Sequence, residues 1–359
     1  MSTGARGAQA SRLGFVDALK AGASQLIVLH HLAFYGPMSD AAAPLAPALL
    51  AWLSEYARIA VQVFLVTGGF LGARAIAPDG VLLAARPLQL MLRRYVRLIV
   101  PFAAALVLAI AMAVIARRWM NHDSIPAAPG WLQFAAHLLL LHDLLDYEAL
   151  TGGAWYVAID LQLFLLMTLL LWLARGAVDG HGPRRRLGFV LLAAFGLASL
   201  FHFNRDPRWD ESALYFFGAY ALGAFAWWLS QRRDALAWTA LLAAGVGASL
   251  AVDFRMRIAV ALVVAVTLAV SVRSAWLARR PAPGPIAFLG RIGYSVFLVH
   301  FPVMLVVGAW LHRFVGADPR ANALGIVLAW SLSVATGALF HRFVELRSSM
   351  PAERAASRP

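Results

Sequence analysis

The feature that most constrains this chain is a series of apolar runs, each roughly 18–20 residues long and poor in charge. They fall at about 14–34, 57–77, 95–116, 154–175, 187–203, 212–230, 235–252, 256–277, 289–312 and 322–342, with arginine-bearing loops between them. Hydrocarbon offers no partner to a backbone N–H or C=O, so runs of this length are accommodated as helices that satisfy their own backbone. Composition agrees: 61% of the 359 residues are hydrophobic and 14% are charged, against about 25% charge in an ordinary soluble chain. The expected fold class is an all-α polytopic membrane protein, a bundle of about ten transmembrane helices.

Loop charge orients the bundle. Arg86, Arg93, Arg94 and Arg97 precede the third run, and Arg175 with Arg184, Arg185 and Arg186 follows the fourth. By the positive-inside rule both loops are cytoplasmic, so an even number of crossings separates them. The apolar segment at 132–145 would make that number odd, and fourteen helical residues reach only about 21 Å. It is expected to be re-entrant or interfacial on the outer side. The stretch QRRD at 231–234, with Arg232 and Arg233, falls in an inner loop, as do Arg279 and Arg280 and the tail with Arg342, Arg347 and Arg354. Both termini are therefore expected to be cytoplasmic. A membrane domain at 13–347 would be flanked by disordered cytoplasmic segments at 1–12 and 348–359. Arg117 and Arg118, after the third run, stand against this orientation.

The formal charge of +13 does not indicate nucleic acid, because the basic residues gather at the ends of apolar runs. With no cysteine there is no disulfide framework, thiolate nucleophile or cysteine metal site. The first run follows Arg6 and Arg12 but leads into HHLAFYGP rather than a small-residue cleavage site, so it reads as a retained span.

That first run, LKAGASQLIVLHHLAFY at 19–35, is unusually polar. Lys20 and His31 are eleven residues apart, about 16.5 Å along a helix and about 20° past three full turns, so they share a face. His30 points about 80° away from Lys20, and Asp17 lies one turn before Lys20, where it can pair with it. Snorkelling explains a lysine near an interface, and interhelical bonding explains a buried histidine, but intramembrane ionisable groups more often mark function.

Further polar positions recur at matching depths. RRYVRLIVPF at 93–102 puts Arg94 and Arg97 one turn apart at the expected inner mouth of the third span, in a pattern suited to phosphate. Asp160 sits about two turns below the outer end of its span, with Trp155, Tyr156 and Gln162 extending a polar patch. His300 lies near mid-membrane and is followed by Pro302, while Tyr294 and Ser295 read as packing or backbone-bonded residues.

These motifs together resemble the acyltransferase-3 family of integral-membrane acyltransferases. The resemblance rests on FVDALKAGASQLIVLHH, RRYVRLIVPF, AWYVAIDLQLFLL, LGRIGYSVFLVHFP and HRFVELRSS, in that order, and covers most of the chain. Lys20 stands where arginine is commoner, and Asp160 replaces the usual glutamate. The resemblance implies a multi-pass protein of a bacterial inner membrane that moves an acyl group, usually acetyl, from cytoplasmic acyl-CoA to a carbohydrate hydroxyl on the far side. Lys20, Arg94 and Arg97 would hold CoA phosphates, and His31 would act as base or transient acyl carrier. Asp160 would orient the imidazole, and neither a metal nor a bound cofactor is required. The expected partners are acyl-CoA, an extracytoplasmic glycan or glycolipid, and the bilayer. A proton-coupled transporter or flippase would also use intramembrane His, Asp and Lys, although no inverted repeat is visible.

Overall fold

The computed structural model describes residues 13–274 and 282–347, which form helices and turns with no strand among them. The segments 1–12 and 348–359, and with them Arg279, Arg280 and Arg354, lie outside the described residues. The helices are α1 (Gly14–Phe34), α2 (Met38–Ala42), α3 (Pro47–Glu55), α4 (Val61–Ile76), α5 (Pro87–Trp119), α6 (Trp131–Leu138) and α7 (Ala154–Ala177). They continue as α8 (His181–Phe201), α9 (Ala213–Ser230), α10 (Ala235–Val252), α11 (Met256–Arg273), α12 (Gly284–Phe314) and α13 (Pro319–Phe340).

Among the described residues, nine helices are long and apolar enough to cross a membrane, and they match the second to tenth expected spans. The first expected span, α1, is not among the nine. It has the length, 21 residues, but Asp17, Lys20, Ser24, Gln25 and two histidines lower its hydropathy. Of these polar residues Ser24, His30 and His31 are buried within the protein, and Asp17, Lys20 and Gln25 are half-buried.

The segment expected at 132–145 does not form a span. Helix α6 has eight residues, about 12 Å, and turns follow it. His137 holds the turn by accepting from the Leu150 N–H at 3.1 Å, and its ring stacks on His142 at 4.1 Å. Burial, with Glu211 and Asp210 nearby, pushes the Asp143 carboxyl in this turn up to about 6.

Helix α5 is longer than expected from 95–116. Its 33 residues extend about 50 Å, well beyond a hydrocarbon layer of about 30 Å. Both ends can therefore carry arginine outside the hydrocarbon, Arg117 and Arg118 among them. Arg117 donates to the Pro126 carbonyl at 2.5 Å.

Helices α4 and α9 meet backbone to backbone. A Cβ on Gly69 would fall 1.9 Å from the Tyr220 carbonyl oxygen, and one on Gly223 would fall 1.9 Å from that of Val66. Backbone cannot move aside as a flexible side chain can, so these glycines set the interhelix distance. Gly223→Ala is expected to lower stability by about 1–3 kcal/mol or more. Thermal unfolding in detergent checks this, with Gly22→Ala, where a Cβ meets nothing within 4 Å, as a control that unfolds at or above the wild-type temperature.

Candidate active site

The site is built where α1 meets α12. His31 Nδ1 lies 2.6 Å from His300 Nε2, and the two rings stack with centroids 4.8 Å apart. His300 Nδ1 lies 2.6 Å from the Phe297 carbonyl oxygen. A carbonyl only accepts, so His300 Nδ1 carries the proton and donates it there. In neutral His300, Nε2 is then an acceptor, which requires His31 Nδ1 to be the donor between the rings. His31 Nε2 is left with its lone pair. Both rings are buried, with 6% and 0% of the residue surface exposed.

His30 turns away, as its 80° offset predicts, and its Nδ1 lies 2.9 Å from the Leu53 carbonyl. Above the pair, Tyr35 packs against His31 at 5.4 Å and Phe301 at 5.1 Å. The loop before α7 closes on the same rings. Gly153 has φ +81°, and a Cβ there would fall 2.6 Å from the Phe297 ring. A side chain at 153 would thus be strained and would press on the residue whose carbonyl orients His300.

Asp160 is not placed to orient His31. It accepts from Arg94 Nη2 at 2.5 Å, and no hydrogen bond joins it to either histidine of the pair. The shorter acid therefore reaches a cation on α5. The Arg94 guanidinium also lies over the Phe164 ring, one turn from Asp160, at 5.3 Å. Tyr156 and Tyr220 share these surroundings. Arg94 is thus drawn into the bundle rather than left at its mouth, and its Nε is buried with no hydrogen-bond partner among the described residues. Its side chain nevertheless keeps 28% of its surface accessible.

The pair and the ion pair are connected through aromatic rings. Tyr156 packs edge-on to Phe297 at 5.7 Å, and Phe297 lies 5.9 Å from His300. Arg97 is exposed, and Lys20 and Asp17 are half-buried near the start of α1. Trp155 packs against Phe216 with tilted rings 5.7 Å apart. Gln162 accepts from the Ala213 N–H at 2.9 Å through its amide oxygen and so caps α9.

Several contributors were not legible as site residues. Tyr294 donates to the Leu98 carbonyl at 3.2 Å, as a backbone-bonded residue should. Ser295 does not follow that expectation, because it donates to Glu345 at 2.5 Å. Glu345 belongs to a π-helical turn, His341–Glu345, where His341 Nδ1 also lies 2.9 Å from it. Arg58 lies in the 3-10 turn Ala57–Ala60, which packs on α1 in the neighbourhood of His31 and Tyr35. Its cue in the sequence is an arginine at the end of an apolar run that loop charge predicts to face outward, where the positive-inside rule disfavours it.

A family profile described as an acyltransferase domain matches residues 13–342. Searches among curated proteins and among solved structures found no match. The profile match runs from the start of α1 into the π-helical turn and takes in both histidines, the ion pair and all nine apolar helices. The chain belongs to the acyltransferase-3 family.

Proposed function

We propose that this protein is an O-acyltransferase that carries an acyl group, acetyl in the first instance, from acyl-CoA to a hydroxyl of a carbohydrate across a bacterial inner membrane. The observation that carries the reading is the relay from the Phe297 carbonyl through His300 to His31, which leaves His31 Nε2 as an available base on the helix face that also bears Lys20.

The chemistry balances at that atom. His31 Nε2 takes the proton of the acceptor hydroxyl as its oxygen attacks the thioester carbonyl. The C–S bond then breaks, and the CoA thiolate takes the proton from His31. His300 holds the ring throughout, and the Phe297 carbonyl stabilises the chain of donors when His31 is charged. On the donor side, Lys20 and Arg97 serve the CoA phosphates. Arg94, fixed by Asp160, offers the accessible part of its guanidinium to a carbonyl of the pantetheine arm.

The test uses inverted membrane vesicles and acetyl-CoA labelled in the acetyl group. Label is expected in base-labile esters on material enclosed by the vesicles. Vesicles that bind acetyl-CoA but form no labelled ester would remove the transferase reading.

A further inference from the structure

The end of the bundle away from Lys20 holds a cation that the transfer chemistry above does not use. Helix α3 is docked beside the histidines through the His30–Leu53 contact at 2.9 Å. The turn Ala57–Ala60 follows it and packs on α1, presenting Arg58. Arg58 is close enough to His30, His31 and Tyr35 to act electrostatically on all three. It is exposed, and among the described residues no carboxylate forms an ion pair with it. Trp52 and Tyr56 on the same segment, and Phe34 stacked on His30 at 5.5 Å, are also exposed.

This placement is electrostatically unfavourable for an empty site. When His31 takes up the hydroxyl proton, its buried charge is repelled by that of the exposed Arg58. An anion held at Arg58 offsets that repulsion, and the exposed rings suit the apolar faces of a sugar. An exposed guanidinium with no ion-pair partner among the described residues is open to such a ligand.

We infer that Arg58 binds an anionic substituent, a carboxylate or a phosphate, on the acceptor whose hydroxyl His31 deprotonates. This rests on the transferase reading of the His31 site. The full chain is tested in vesicles from cells lacking the native copy, with labelled acetyl-CoA as the probe. Arg58→Gln should lower labelling about 10- to 100-fold, whereas Arg58→Lys retains most of it. Acetyl-CoA binding in detergent should be unchanged in both, which shows that the variants fold and that the donor site is intact.

The labelled product should bind an anion exchanger. If mild acid cleavage of phosphoesters leaves it bound, the anion is a sugar carboxylate; if cleavage releases it as neutral material, the anion is a phosphate. A neutral product before cleavage, or undiminished labelling by Arg58→Gln, would overturn the inference. An equal loss in Arg58→Lys would also count against it. Undiminished labelling by His31→Ala would instead overturn the transferase reading.

Discussion

Replacing His31 with alanine is expected to lower acyl transfer about 10²–10⁴-fold while leaving acetyl-CoA binding in place, because a positioned general base contributes about that factor. The relay makes a second expectation that a packing role would not. His300→Ala removes the acceptor for His31 Nδ1–H, so the ring loses both its orientation and its tautomer. Transfer should fall with little change in donor binding, and its pH profile should shift because the base is no longer held by the same partner. His300→Gln, which keeps an acceptor, should recover part of the rate. A His300→Ala enzyme with the wild-type rate and pH profile would show that the stacking of the rings is only packing.

Asp160→Ala is expected to act chiefly through Arg94. Removing one member of a buried pair leaves the other charge uncompensated, at a cost of about 3–5 kcal/mol. Because Arg94 keeps 28% of its side-chain surface accessible, the lower end of that range applies. Thermal unfolding in detergent reads the loss. The double variant Arg94→Met/Asp160→Leu should regain most of the stability and still transfer poorly, since it lacks the Arg94 donor. If Asp160→Ala were fully stable, the pair would be solvated too well to matter for folding. If the double variant transferred at the wild-type rate, Arg94 would have no part in holding the donor.

The bundle was legible because span length and loop charge are local properties. Nine apolar helices fall on nine of the expected runs, and the short reach of α6 agrees with the placement of 132–145 off the crossing path. Helix ends were less legible. Helix α5 runs past the hydrocarbon at both ends, where the apolar pattern has already stopped. The alignment of Lys20 with His31 follows from α-helix geometry, as does the separate direction of His30.

The partners were decided elsewhere. His31 and His300 are 269 residues apart, and Arg94 and Asp160 are 66 apart. Periodicity assigns a residue to a face and a depth, but several helices offer polar groups at each depth. Asp160 was the candidate to orient His31 and His300 a candidate for binding substrate, and only the packing of α12 on α1 and of α5 against α7 gives His31 the histidine and Asp160 the arginine. The sequence by itself therefore determined the membrane bundle and the polar face of its first helix, because both arise within single helices. The tertiary structure decided which imidazole and which guanidinium each group meets, because hydrogen bonds over less than 3 Å depend on how separate helices pack.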